Sequence, residues 1–259
     1  MTNRQICEIA MRQSAIDMSC RYEDFLRDEP VIVTSDEHEC ARKYLKLPFA
    51  CSMVSYGSNI VASVSDEFAD IARAYLEKFP KEHCFEPPHI LALHQRLIEK
   101  GYGIGMTAEY WLPDLTRLSA LPSVYKTRLL TKEQLTDLYL PEWSNALCKK
   151  RAELDVFAIG AYENEMLIGL AGCSADCEEM WQIGVDVLPA YRGKYIAPAL
   201  TSQLAIEILR CGKVPFYCCA WCNIPSARNA VRSGFRPAWT EMHTDKLENI
   251  AICNAQIVT

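Results

Sequence analysis

Residues 181–200, WQIGVDVLPAYRGKYIAPAL, decide how the second half of the chain is read. Trp181 to Leu188 is an apolar run of strand length, interrupted only by Gln182, Gly184 and Asp186. Pro189 ends it, because proline has no N–H to give to a ladder. A short loop carrying Arg192, Gly193 and Lys194 follows. Apolar residues then recur with helical spacing from Ile196, with Pro198 in the first turn and Gly212 past the end. A loop of this kind brings positive charge and free backbone N–H groups to a helix start, where anions are favoured.

Working outward, VFAIGAYENEMLIGLAGCSA (156–175) reads as a hairpin, two apolar runs around the polar turn Glu163-Asn164-Glu165. Before it, Thr131 and Gln134 have capping-box spacing ahead of KEQLTDLYL. After the 181–212 unit, VPFYCCAWC (214–222) is an apolar strand. NIPSARNAVRSGF (223–235) is a helix capped by Asn223 and stopped at Gly234, and RPAWTEMHT (236–244) is a last strand. In the first half, Thr34 and Glu37 suggest a capped helix over ECARKYL (39–45), and PFACSMVSYGSNIVASV (48–64) reads as strand, turn, strand. FADIARAYLEKF (68–79) and HILALHQRLIEK (89–100) are helical in period, and YGIGMTAEYWL (102–112) is strand-like. Pro113 and Pro122 bracket a polar linker.

The 259 residues are half hydrophobic and 23% charged, which is globular composition. No run of about eighteen apolar residues exists, so no membrane span is expected. The first residues lack the basic start and apolar stretch of a signal peptide, so a cytoplasmic protein is expected. The formal net charge of −6 argues against a nucleic-acid partner and suits a cationic one. The 13 Cys sit mostly in apolar runs and read as reduced core thiols. Cys219 and Cys222 form a CxxC pair, but no second pair or His cluster completes a metal set, so no metal is expected. His83, His89 and His94 show no pairing signal.

Three pieces of 156–243 together resemble the GNAT superfamily of N-acetyltransferases. They are Val187-Leu188-Pro189 just before Tyr191-Arg192-Gly193-Lys194, the helix after that loop, and Asn223 with Ser226 followed by Gly234-Phe235. WQIGVDVLPAYRGK is similar to the ribosomal-protein acetyltransferase branch in particular. The resemblance implies acetyl-CoA as cofactor and a small-molecule or peptide amine as acceptor. It also implies a mixed, mostly antiparallel α/β (α+β) sheet flanked by helices. It places the pyrophosphate on Arg192, Gly193, Lys194, Tyr195, Ile196 and Ala197, and the pantetheine arm on Val185, Val187 and Leu188. A backbone N–H near Val185 to Val187 would polarise the thioester. Asn223 caps its helix and in the family also lies near the pantetheine; Ser226 and Asn229 are grouped with it. Two positions depart from the pattern. Tyr195 stands where the family has Gly, so its side chain is expected to crowd the loop. Ala230 stands where the family often has a Tyr that protonates the leaving thiolate, so that acid is missing or supplied elsewhere.

Asp186, a polar residue inside an apolar strand, is the candidate general base, with Glu178 and Glu179 at the strand start as further carboxylates or simply solvated turn residues. The expected organisation is a smaller α/β domain over 1–120, shaping the acceptor site, and a GNAT domain over 121–259. The expected function is transfer of an acetyl group to a primary amine by direct attack, with Asp186 and the Val187 main chain catalytic. The alternative is a non-catalytic acyl-CoA-binding or ligand-sensing module.

Overall fold

The computed structural model describes residues 1–257. In chain order its main elements are α1 (Asn3–Asp17), β1 (Val31–Thr34), β2 (Cys51–Ser55), β3 (Val61–Val64), α2 (Ala69–Lys78), α3 (Pro87–Ile98), β4 (Tyr102–Pro113) and β5 (Lys126–Thr131). They continue with β6 (Asp155–Glu163), β7 (Met166–Ser174), β8 (Met180–Val187), α4 (Ile196–Arg210), β9 (Val214–Cys219), α5 (Ile224–Arg232), β10 (Phe235–Lys246) and α6 (Leu247–Ile257). Short 3-10 turns join several of them.

The chain forms two compact units, each made from two segments: Met1–Ala10 with Tyr110–Ala238, and Met11–Glu109 with the stretch from Trp239 onward. This differs from consecutive domains meeting at 120/121. The long strands β4 and β10 each begin in one unit and end in the other, so the boundary falls inside strands rather than in the Pro-bracketed linker.

In the first unit the strand order is β9-β8-β7-β6-β5, antiparallel except for the parallel pair β8/β9. Alternation sorts the side chains onto two faces. Ile159, Ala171, Cys173 and Ile183 pack under Ile196, Leu200, Leu204 and Ile208 of α4. Ala158 and Leu170 face the other way, against Leu135, Trp143, Ala146 and Leu147. The β6/β7 turn is the expected one, with Asn164 and Glu165 both left-handed at φ 48° and 64°. The capping box at Thr131 and Gln134 forms, although the segment it opens is 3-10.

The second unit has strand order β1-β3-β2-β10, with β1/β3 parallel and the other pairs antiparallel. Met53, Ala62, Met242 and Phe68 form its core with Leu76 of α2 and Leu93 and Leu97 of α3. The helix expected over ECARKYL is absent, and those residues are irregular. Asp17 accounts for this: its carboxylate accepts the Arg42 backbone N–H at 2.9 Å and Nε at 2.5 Å. Arg42 Nη2 also donates to Glu241 at 2.6 Å, and all three side chains are at most 3% exposed. Burial alone would raise Glu241, but Arg42 and His243 more than reverse it and hold it well below the usual carboxylate range. A charge paired this closely outweighs the weak helix preference of a seven-residue stretch. Helices α1 and α6 were not anticipated.

All 13 cysteines are free thiols. The reading of them as core residues holds for five: Cys51, Cys84, Cys173, Cys177 and Cys219 are buried, while Cys40, Cys211, Cys222 and Cys253 are exposed. Cys222 lies beyond the end of β9, so the CxxC pair is split between a buried strand residue and an exposed loop residue. Among the described residues no His, Cys, Asp and Glu cluster could hold a metal ion, and no helix is long and apolar enough to cross a membrane.

Gly184 and Gly172 meet backbone. A Cβ on Gly184 would stand 1.8 Å from the Asn145 carbonyl oxygen, and one on Gly172 would stand 2.3 Å from that of Ala146. Gly184→Ala is therefore expected to lower unfolding stability by about 2 kcal/mol or more, an overpacking cost against atoms that cannot turn aside. A urea midpoint unchanged from wild type would contradict this contact.

Asp155, at the start of β6, is 1% exposed and accepts from the Tyr139 hydroxyl at 3.1 Å and the Cys148 N–H at 3.2 Å. Burial pushes its carboxyl from 3.8 to about 6 against the opposing effect of those bonds. The folded state thus holds this proton more tightly than the unfolded one. Its contribution is full below pH 3.8 and is lost as pH rises through about 6. Melting temperatures of wild type and Asp155→Asn, compared from pH 4 to pH 7, should show wild type losing ground to the variant as pH rises. A pH-independent difference would refute the assignment.

Candidate functional site

In the first unit β8 is an interior strand that is half-paired on one side. Its ladder with β7 runs from Ser174↔Gln182 to Gly169↔Val187. Its ladder with β9 runs only through Met180↔Val214, Trp181↔Pro215 and Gln182↔Phe216. Beyond Gln182 the parallel strands separate.

The parity of the β7 ladder says which groups face that gap. Leu188 N–H donates to the Ile168 carbonyl at 3.0 Å, which makes Leu188 a hydrogen-bonded position. In an antiparallel pair bonded and non-bonded positions alternate. Asp186 and Gly184 therefore bond to β7, while Val187 and Val185 turn their N–H and C=O groups toward β9, beyond the last ladder pair. One of these groups is answered locally, since Arg192 Nε donates to the Val187 carbonyl at 3.1 Å.

The loop after β8 leads from this open edge to the start of α4. Gly193 is left-handed at φ 80°, with open space where a Cβ would point. No side chain caps the α4 N-terminus, so its first N–H groups, at Ile196 and Ala197, are left to a ligand or water. Lys194 Nζ lies 4.7 Å over the Tyr191 ring, whose hydroxyl donates to Glu163 at 2.5 Å. The expected crowding by Tyr195 is not what the structure shows. Tyr195 adopts the left-handed backbone itself, at φ 60° and ψ 18°. Its ring is 64% exposed, with the Arg232 guanidinium 5.1 Å from its centroid. The conformation is kept at a cost of about 1–2 kcal/mol, and the ring stands outward.

Across the gap, Asn223 Oδ1 accepts from Ser226 N–H at 3.2 Å and caps α5. Ser226 Oγ and the Tyr217 hydroxyl are 2.7 Å apart. Asn229, only 7% exposed, donates from Nδ2 to Thr201 Oγ1 at 3.0 Å, while its Oδ1 is buried without a partner. Ala230 is fully buried and can move no proton. Tyr217 and Thr201 escaped the sequence reading. Tyr217 lies in the apolar run FYCC, and nothing in that run marks its hydroxyl as part of a polar cluster with α4 and α5. Burial raises its phenol, partly offset by bonds with Ser226 and Asn229.

Asp186, the expected base, accepts hydrogen bonds at both carboxylate oxygens. It lies on the β8 face opposite α4. Oδ2 accepts from the backbone N–H groups of Asn145 and Ala146 at 2.8 and 2.9 Å, and Oδ1 accepts from Asn145 Nδ2 at 2.7 Å. These bonds tie the 145–146 backbone to β8. Glu178 and Glu179 are exposed in the turn before β8. In the second unit Ser52, His243 and Glu241 form a hydroxyl–imidazole–carboxylate chain of 2.7 and 2.8 Å. Ser52 is fully buried, so no substrate reaches its hydroxyl.

No family model and no curated protein matches the sequence. Many of the solved structures that match are GNAT-family acetyltransferases. A GCN5-related N-acetyltransferase-like protein from Streptococcus suis is 21% identical, with 58% of this chain and 67% of that one covered at a TM-score of 0.44. A GCN5-related N-acetyltransferase from Kribbella flavida is 14% identical, with 62% and 64% covered at a TM-score of 0.46. A putative acetyltransferase from Salmonella typhimurium, solved with its cofactor acetyl-CoA, is 19% identical, with 48% and 95% covered at a TM-score of 0.35. In the first two pairings a third or more of each chain lies outside the match.

Asp186→Ala is expected to cost about 1–3 kcal/mol of stability, because it strands two backbone N–H groups. Chemical unfolding measures this. An unchanged midpoint would return the carboxylate to the candidates for proton transfer.

Proposed function

We propose that the first unit binds acetyl-CoA along the open edge of β8 and transfers its acetyl group to a primary amine. The observation that carries the reading is the end of the β8/β9 ladder at Gln182↔Phe216, which leaves the Val185 and Val187 main chain facing a gap beside an uncapped helix start. The residues present fit the cofactor. An extended amide-bearing arm needs main-chain donors and acceptors, and β8 offers them at Val185 and Val187. A pyrophosphate needs N–H groups and positive charge, and Gly193, Ile196 and Ala197 with Arg192 and Lys194 offer those. Bound acetyl-CoA would supply an acetyl thioester open to attack by an amine.

The chain's own contribution is binding and electrostatic. An N–H of β8 held rigidly between β7 and the gap is a preformed donor for a carbonyl oxygen that gains negative charge, worth about 3 kcal/mol in such settings. Proton removal from the amine falls to solvent or to a group the acceptor brings, since Asp186 is committed elsewhere. A thiolate with an ordinary thiol pKa near 8.5 leaves without a strong acid. The acceptor we propose is a small-molecule or peptide amine, in keeping with the net charge of −6.

A second reading, a non-catalytic acyl-CoA-binding module, is favoured by two observations: Ala230 is buried and inert, and Asp186 is fully hydrogen-bonded. Calorimetry with CoA, paired with acetyl-CoA turnover over a panel of amines, separates the two. Arg192→Glu is expected to weaken CoA by about 1–3 kcal/mol, roughly fivefold to a hundredfold, by placing a carboxylate where a guanidinium meets phosphate. Unchanged affinity in the folded variant removes this loop from the site. Tight binding with no turnover on any amine favours the module.

A further inference from the structure

The second unit contains a cavity of about 490 Å³, lined entirely by residues of that unit. We propose that it is a binding site for a small organic cation with an apolar or aromatic body. The volume lies within the range of small-molecule pockets, about 300–1,000 Å³. The walls are apolar and aromatic, with Tyr44, Phe49, Tyr102 and Met106 among them. Met106 is 40% exposed although it is a large apolar side chain on a strand.

The floor is built rather than incidental. Phe49 and His243, 7% and 9% exposed, line it with their rings 5.1 Å apart. Both His243 nitrogens are engaged, with Ser52 at 2.7 Å and with Glu241 at 2.8 Å, so the ring is held fixed. Behind it the ion pairs join two carboxylates, Asp17 and Glu241, to one guanidinium, Arg42. That group carries one more negative charge than positive.

The charges at the rim differ in how firmly they are held. Asp245 lines the cavity with its carboxylate fixed by Asn249 Nδ2 at 2.6 Å and by the Lys246 N–H at 2.8 Å. Burial opposes its ionisation, but these bonds and Lys46 outweigh it and lower its pKa. Glu248 adds a second carboxylate. The two lysines are solvated: Lys46 is 79% exposed and sits 3.5 Å from Asp245, and Lys246 is exposed. An exposed pair of this kind contributes little and is screened by salt. The ordered charge facing the cavity is therefore negative. Aromatic walls add attraction for a cation through their ring faces. An anion would meet a fixed carboxylate and a negative floor.

This inference stands apart from the acyl-transfer reading, and its test uses the full chain without acetyl-CoA. Three probes of similar shape differ in charge: 2-phenylethylamine as the cation, 2-phenylethanol as the neutral form and 3-phenylpropionate as the anion. Ligand-detected NMR gives their relative affinities. The amine should bind with a dissociation constant of roughly 1 mM or tighter and about tenfold more tightly than the acid, a difference of about 1.4 kcal/mol. Met106→Trp, at an exposed position, should fill the cavity and weaken the amine by about tenfold. Asp245→Asn should erase most of the preference for the cation. If that variant lacks a cooperative melt, Glu248→Gln, at an exposed side chain, is expected to reduce the preference instead. The proposal is overturned if no probe binds up to about 10 mM, if the acid binds as well as the amine, or if Met106→Trp leaves the amine's affinity unchanged.

Discussion

The Asp186 carboxylate ties the backbone of Asn145 and Ala146 to one face of β8, and the candidate cleft depends on that contact. The segment comes so close that only glycine fits at positions 172 and 184. With one face of β8 covered in this way, Ile183, Val185 and Val187 are turned to the α4 face. Their main-chain groups, by the same alternation, face β9. A strand free to shift by one residue would exchange both sets at once. The carboxylate and the two glycines thus fix which N–H groups look into the gap, without lying in it.

A gap in the middle of a sheet is costly, because backbone groups that lose a ladder partner lose hydrogen bonds worth about 1 kcal/mol each. The surrounding structure compensates only in part. Arg192 answers the Val187 carbonyl, while Asn229 Oδ1 and Trp111 Nε1 stay buried without partners, Trp111 in the same core cluster as α4. Tyr195 holds a left-handed backbone at the start of α4. Unsatisfied groups and strained residues are retained where a ligand or a preset geometry repays them.

The parts of this arrangement that were legible in the sequence are those written in local signals. Pro189, Gly193, Gly212 and Gly234 act through their own backbone, and the Asn223 side chain caps the turn next to it, so strand end, loop and helix limits followed from local sequence alone. The parts that were not legible depend on distant partners. Asp186 reads as a lone polar residue in a strand, and its meaning comes from residues 41 and 40 positions earlier. ECARKYL carries helix formers, yet Arg42 is claimed by Asp17 and by Glu241, 199 residues away. Tyr217 hides in an apolar run because a buried phenol looks like core until its hydroxyl partners are known. The interleaving of the two units escaped for a similar reason. Sequence punctuation marks loops, and the units change over within strands.

The second unit shows why geometry has to be weighed with access. Ser52, His243 and Glu241 stand at hydrogen-bonding distances that suit nucleophilic catalysis, and Glu241 is held ionised by Arg42. A nucleophile must nevertheless meet an electrophile, and Ser52 is sealed at the β2–β10 pairing, directly opposite His243. The chain of bonds serves instead to satisfy a buried carboxylate and to lock an imidazole in place. Only the His243 ring reaches a cavity wall, and there it presents a fixed surface with all its polar capacity spent. Recognition at that wall must then come from ring faces and from the field of the carboxylates behind and beside it. Those are the features that separate a cation from an anion and not one hydrogen-bonding pattern from another.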